Sequence, residues 1–323
     1  MIEDAYKRLQ GHARKTPLLS SPFLDEISGR RVFVKAECLQ HTGSFKFRGA
    51  WNAISTLTDE EKAREVLALS SGNHAQGIAA AAKAHGVKAT VLMPSDAPTV
   101  KIENTRFLGA NVVTYDRATR DRDEVAAKML EEKGYTLIHP FNNPKVIGGQ
   151  GTVGLEIAEQ ADEFGINDAE ILVPCGGGGL MSGVATALEA RKPKFKVRPV
   201  EPEGFDDVTR SLATGKLLAN EKTSGSICDA ILTPCAGDLT FPIIQKLCGS
   251  GIVVSDEDAL HAMALAFKRL RIVIEPGGAV ALAAALFHAN KINSETVICV
   301  ASGGNTDPDV FQRALALDQS SMG

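Results

Sequence analysis

Neither sign of charge is in large surplus in this chain. Lysine and arginine total 35 against 39 aspartates and glutamates, a formal net charge of −4 over 323 residues. That balance gives no footing to a nucleic-acid or membrane partner. Paired cysteines are missing as well. Cys38, Cys175, Cys228, Cys235, Cys248 and Cys299 contain no C-x-x-C pair, and a chain of this length buries its core without covalent staples. They read as reduced core thiols of a cytoplasmic protein. Long apolar runs are also lacking: the most apolar window, 277–287, is too short to span a bilayer and ends at His288. The acidic start, Met1-Ile2-Glu3-Asp4-Ala5-Tyr6-Lys7, has no apolar signal core. No repeat, low-complexity tract or long linker marks a domain boundary, although the length suggests two domains of roughly 150 residues each. Apart from His74, the histidines (His12, His41, His85, His139, His261, His288) form no metal-ligand pattern.

What is present is an alternation of strand and helix patterns. Apolar-alternating strands are expected at 31–37, 66–70, 88–93, 111–115 and 135–138, with helices at 75–84, 99–108 and 121–132 between them. A second set follows: helix 151–160, strand 171–175, helix 180–191, strand 196–200, strand 252–254, helices 256–270 and 279–287, and strand 296–300. Such spacing predicts βαβ crossovers and parallel sheets. Pro199 suggests an irregular or edge position for its strand, and Thr58-Asp59-Glu60-Glu61 is a capping box.

Four stretches carry chemistry. Lys46, in Gly43-Ser44-Phe45-Lys46-Phe47-Arg48-Gly49-Ala50, falls in the first turn of a helix after a strand. Helix N-termini disfavour cations, so the lysine is explained if its nitrogen is tied up as an imine; a solvated lysine lying over a phenylalanine is the plain alternative. Cys175-Gly176-Gly177-Gly178-Gly179-Leu180 joins a strand to a helix, and its backbone N–H groups can converge on one compact phosphate. It matches neither G-x-G-x-x-G nor a P-loop. Ser70-Ser71-Gly72-Asn73-His74-Ala75 suits a carboxylate, or is an ordinary N-cap served by Ser71 or Asn73. Ala301-Ser302-Gly303-Gly304-Asn305 repeats the form. Three such turns converge at the carboxyl edge of a parallel sheet, where α/β folds bind ligands.

In this order and spacing the stretches resemble the fold-type II pyridoxal-phosphate enzymes, in the serine/threonine dehydratase and serine racemase group. The resemblance runs from Lys15-Thr16-Pro17-Leu18 to Asn305 and includes Gly149-Gln150-Gly151-Thr152. It implies an α/β, tryptophan synthase β-like fold with parallel-rich twisted sheets flanked by helices. A large domain of 1–50 and 145–323 would hold the cofactor, with a small substrate domain of 51–144 inserted. Lys46 would hold pyridoxal 5'-phosphate covalently and act as base at the substrate Cα. Gly176, Gly177, Gly178 and Gly179 would bind its phosphate, Asn73 its phenolic oxygen, Phe45 its ring face and Ser302 its ring nitrogen. A serine there makes the ring a weaker electron sink than an aspartate would, favouring β-elimination. Ser44, Ser71, Asn73, His74 and Gln150 would hold the substrate carboxylate. A serine at Ser71 serves racemase relatives as the second proton donor, and dehydratases can carry it too.

The resemblance also implies a divalent cation, Mg2+ or else Ca2+ or Mn2+, on Glu201, Asp207 and the Phe205 carbonyl; a surface acidic turn is the alternative. His139-Pro140-Phe141, Cys228 and Ala230 in Ser226-Ile227-Cys228-Asp229-Ala230, Thr233-Pro234-Cys235-Ala236-Gly237-Asp238, and His41 as a cation for a second carboxylate resemble the 3-hydroxyaspartate dehydratase branch. The expected reaction is conversion of 3-hydroxyaspartate through iminosuccinate to oxaloacetate and ammonia, or of L-serine or L-threonine to a 2-oxo acid. An amino-acid racemase and a non-enzymatic metabolite-binding protein are the competing readings. A cytoplasmic homodimer is expected, with no isoleucine-type regulatory domain beyond Gly323.

Overall fold

The computed structural model describes residues 1–97, 99–116 and 118–320. Its strands are β1 (Leu18–Ser20), β2 (Arg31–Lys35), β3 (Val66–Leu69), β4 (Ala89–Pro94), β5 (Asn111–Tyr115), β6 (Thr136–Leu137), β7 (Glu170–Pro174), β8 (Lys196–Pro202), β9 (Ile252–Val254) and β10 (Thr296–Val300). They form a six-stranded sheet in the order β1-β2-β10-β7-β8-β9 and a four-stranded sheet in the order β5-β4-β3-β6. Among these described strands, only the β1–β2 pairing is antiparallel. The architecture is therefore α/β with parallel-rich sheets flanked by helices, as the alternating patterns predict.

Both faces of the larger sheet are buried, and the period-2 alternation of its strands explains how. Val32, Val34, Leu172, Val297 and Cys299 point into one apolar cluster, which contains the helices Asp256–Leu265 and Pro276–Phe287. Their neighbours Phe33, Ile171, Val173, Ile298 and Val300 point into another, with the helices Thr152–Glu163 and Gly179–Arg191. Parallel strands covered on both sides read as continuous apolar runs, which is why β7 and β10 stand out in the sequence. The helix Pro276–Phe287 is buried from Pro276 to Leu286, and its small alanines let it lie close on β7, β8 and β10. It begins three residues earlier than the apolar pattern suggests, with proline at the first helical position, where its missing N–H is no loss.

Two expectations are corrected. β8 is not an edge strand, since it lies between β7 and β9, and β9 is the edge. Pro199 is tolerated because β9 pairs with β8 only from Val200 onward. The helix expected over 256–270 changes to a wider π-turn at Ala266–Leu270 and ends at Arg271, whose φ is 60°.

Behind the lysine's helix lies a buried ionic network that the sequence patterns do not announce. Arg48 donates to Glu37 and Glu156, and Lys35 donates to Glu156 at 2.6 Å, to Thr16 O at 2.7 Å and to Gln160 at 2.9 Å. All four charged groups are buried. Burial opposes the charge on Arg48, but Glu37 and Glu156 outweigh it and hold the guanidinium protonated. No described helix is long and apolar enough to cross a membrane.

Candidate active site around Lys46

β2 ends at Lys35, and the chain passes through two short 3-10 turns before the helix Lys46–Ser55. Thr42 and Gly43 both have positive φ, 57° and 73°, which folds this loop back on itself. A Cβ at Gly43 would stand 2.5 Å from Asn305 Oδ1, so glycine there permits the close approach. Lys46 is the first residue of its helix. Its Nζ donates to Pro140 O at 3.2 Å and lies 5.1 Å from the centroid of the Phe45 ring. Burial lowers its pKa to about 8, against a smaller opposing pull from Glu275. A neutral, nucleophilic fraction of the amine is thus available near neutral pH.

The three glycine-bearing turns follow β3, β7 and β10. After β3, the helix Asn73–Ala84 starts with Gly72 as its N-cap, so no side chain caps it. Its first N–H groups therefore lack intrahelical acceptors. Ser71 is half-buried, and its hydroxyl is not spent on the cap. Asn73 donates to Glu275 Oε1 at 2.6 Å and accepts from Asn305 Nδ2 at 2.7 Å, while Asn305 also donates to Thr42 O at 2.8 Å. This chain of amides ties the turn after β3 to the turn after β10, and so one sheet to the other.

After β7, Gly178 (φ 85°) caps the helix Gly179–Arg191. A Cβ at Gly177 would run into the Phe141 ring. The Gly177 carbonyl accepts from Thr240 Oγ1 at 2.7 Å and from Gly237 N at 3.3 Å, which pins the loop. After β10, Ser302 is buried and its carbonyl accepts from Phe45 N at 3.1 Å. Gly303 has no room for a side chain, because a Cβ there would collide with Glu275 Oε1.

Several buried polar atoms at this site have no partner among the described residues: Ser44 Oγ, Gln150 Nε2 and His74 Nδ1. Gln150 Oε1 accepts from Gly49 N at 3.1 Å, leaving only its amino group free. Buried polar groups are nearly always satisfied, so this set points to a bound polar molecule. His74 departs from expectation in one respect. Its Nε2 donates to Ile138 O at 3.0 Å, and burial, followed by Lys46, pushes its pKa down to about 3. The ring is neutral and offers a lone pair at Nδ1, which suits an N–H or O–H rather than a carboxylate.

Glu275 escaped the sequence reading. It is buried, faces Asn73, and has its pKa raised to about 8, chiefly by burial, with the Asn73 hydrogen bond and Lys46 pulling the other way. The available signal was a lone acid directly before Pro276-Gly277 and an otherwise apolar helix. His41 is drawn below its ordinary pKa by burial and by Arg14, and its ring packs 5.0 Å from Phe47, both of which disfavour its cationic form. Ala230 is exposed, with its methyl 3.2 Å from where a Cβ on Gly277 would stand.

Glu201 lies near the end of β8, and Phe205 and Asp207 follow it into the start of the helix Asp207–Thr214. Glu201 accepts from Val208 N and from Thr209 N and Oγ1. Asp207 accepts from Asn220 Nδ2 and Ala236 N. Burial raises these carboxyls to about 8 and about 6. No group of three or more histidine, cysteine or acidic side chains with metal-binding geometry occurs among the described residues.

The comparisons with known proteins agree with one another. The chain is 41% identical over 311 residues to the L-threo-3-hydroxyaspartate ammonia-lyase of a Pseudomonas species, spanning 96% of each chain. It is 40% identical over 319 residues to the serine racemase of Oryza sativa subsp. indica, covering 97% of this chain and 92% of that one. Among solved structures, the threonine deaminase of T.th. superposes with a TM-score of 0.90 at 44% identity, covering 95% of this chain and 97% of that one. Residues 9–303, from before β1 to Gly303 beside Glu275, match a single family description, and the chain belongs to that family, the pyridoxal-phosphate dependent enzymes.

Proposed function

We propose that this enzyme is an ammonia-lyase that removes water and then ammonia from a β-hydroxy-α-amino acid, with 3-hydroxyaspartate the first choice and L-serine or L-threonine the next. One observation carries the reading. A lysine with a depressed pKa stands among three strand-end turns, and the buried polar atoms Ser44 Oγ, His74 Nδ1 and Gln150 Nε2 have no partner among the described residues. These residues fit pyridoxal phosphate: the N–H groups of the Gly176–Gly179 loop, bonded to no acceptor among the described residues outside their helix, suit its phosphate, and the Ser302 hydroxyl suits its ring nitrogen.

When bound, the cofactor supplies an electron sink for the pair released from the Cα–H bond. Lys46 takes the Cα proton with its neutral amine. Ser44 Oγ, Gln150 Nε2 and the free N–H groups of the helix Asn73–Ala84 hold the substrate carboxylate, which fixes the Cα–H bond toward Lys46. Departure of the β-hydroxyl with a proton releases water and leaves a Cα=Cβ enamine, which gains a proton at Cβ and loses one from nitrogen to become an imine. The imine that results, iminosuccinate from 3-hydroxyaspartate, takes up one water to give oxaloacetate and ammonia. A racemase reading draws on Ser71, whose uncapped hydroxyl is the candidate second proton donor.

Residues 1–50 with 145–323, around the larger sheet, and 51–144, around the smaller one, are proposed as the two domains. Glu201 and Asp207 supply hard oxygen donors whose raised pKa values a divalent cation relieves, and among the described residues no backbone N–H is bonded to the Phe205 carbonyl. Assembly as a homodimer in the cytoplasm completes the proposal. Ammonia release from L-serine, L-threonine and threo and erythro 3-hydroxyaspartate tests it. Release from a hydroxyaspartate isomer above the others supports the reading; enantiomer interconversion faster than ammonia release from every substrate replaces it with the racemase.

A further inference from the structure

A side-chain carboxylate on the substrate is held more strongly by a cation than by neutral donors, and Lys46, His41, His74 and Arg48 do not supply one. Lys46 is committed to the Cα chemistry. His74 is neutral, burial and Arg14 disfavour a charge on His41, and Arg48 is saturated by Glu37 and Glu156. Lys101 answers the need from outside that set. It sits on the helix Thr99–Phe107, between β4 and β5, and its Nζ lies 3.0 Å from Asp229 Oδ2. Asp229 opens a short turn, Asp229–Ile231, on the side of the six-stranded sheet, so the pair bridges the two sheets. Ile231 in that turn borders the glycine loop: its carbonyl stands 3.0 Å from where a Cβ on Gly176 would be. Lys101 is also acted on electrostatically by Glu275, the buried acid bonded to Asn73, and by Asp307.

We propose that Lys101 determines specificity for an acidic side chain, exchanging Asp229 for the second carboxylate of a bound dicarboxylic amino acid. The inference rests on the β-elimination reading above. Asp229 is well suited to be displaced. Its side chain is 61% exposed, so its pairing with Lys101 is weak, whereas Lys101 is only 17% exposed and gains from any partner that excludes water. A monocarboxylic substrate such as serine leaves the Lys101–Asp229 pair intact.

Holoenzymes of Lys101→Met, Lys101→Arg and Asp229→Asn test this against the wild type, with threo-3-hydroxyaspartate and L-serine as parallel substrates. In Lys101→Met, kcat/KM for hydroxyaspartate should fall at least tenfold further than for serine, mainly through KM, and Lys101→Arg should recover part of it. Asp229→Asn removes the competing carboxylate and should lower KM for hydroxyaspartate. Equal losses for both substrates, no loss, or an unchanged or raised KM in Asp229→Asn would overturn the exchange. Succinate, a four-carbon dicarboxylate, provides a readout without turnover. It should raise the Tm of the wild-type holoenzyme and lose that effect in Lys101→Met. No shift in the wild type, or the same shift in the variant, counts against Lys101. A wild type that releases no ammonia but shows the Lys101-dependent shift refutes the lyase reading alone.

Discussion

Replacing Arg48 with methionine keeps most of the side-chain volume and removes one of two cations from a buried cluster that also holds Lys35, Glu37 and Glu156. Glu37 then loses both of its guanidinium bonds, each 2.8 Å long, and keeps only Thr16 and the more distant Lys35. Breaking a buried ion pair from one side typically costs about 3–5 kcal/mol, because the remaining charge is left uncompensated. That is about a fifth or more of the roughly 5–15 kcal/mol that holds a typical domain folded. Urea unfolding measures it directly. Trp51, the single tryptophan, is buried on the same helix and reports through its fluorescence. The decisive comparison is the double variant Arg48→Met with Glu37→Leu, which leaves Lys35 balanced against Glu156. It should be more stable than Arg48→Met alone, since it removes the orphaned charge. A loss below about 1 kcal/mol in Arg48→Met, or a double variant less stable than the single, refutes the account of the cluster.

Gly177→Ala drives a methyl into the Phe141 ring, so the purified protein should lose most of its visible cofactor absorbance while keeping its far-UV circular dichroism. Unchanged absorbance contradicts the cradle. Glu275 has a folded pKa near 8 against an ordinary 4.5, so its contribution to stability is present below pH 4.5 and is lost as the pH rises toward 8. Glu275→Gln should flatten that decline in a series of unfolding curves across this window, and an identical slope in both proteins counts against it. Adding Mg2+ to chelator-treated protein should raise its Tm, and both Glu201→Gln and Asp207→Asn should abolish the rise.

Much of the site could be read from the chain because it is built from local signals. Each glycine-rich turn directly follows an apolar strand, so the residues that define the strand also place the turn. β5, β9 and β10 match their expected limits, since their apolar runs are bounded by polar or turn residues. What escaped the reading depends on contacts distant in sequence. Arg48 meets Glu156 across 108 residues, Asn73 meets Glu275 across 202, and Lys101 meets Asp229 across 128. No spacing rule links such pairs; only the crossing of β2, β7 and β10 in one sheet brings Lys35 and Glu156 together. His74 illustrates a subtler gap. The sequence places it beside the ligand, but only its bond to Ile138 O fixes which nitrogen carries the proton.

Reduction of the holoenzyme with borohydride, followed by peptide mass spectrometry, tests the central claim most directly. The phosphopyridoxyl mass should appear on the peptide containing Lys46 and be absent from Lys46→Ala. Label on any other lysine, or none at all in the wild type, would contradict the assignment on which the site has been built.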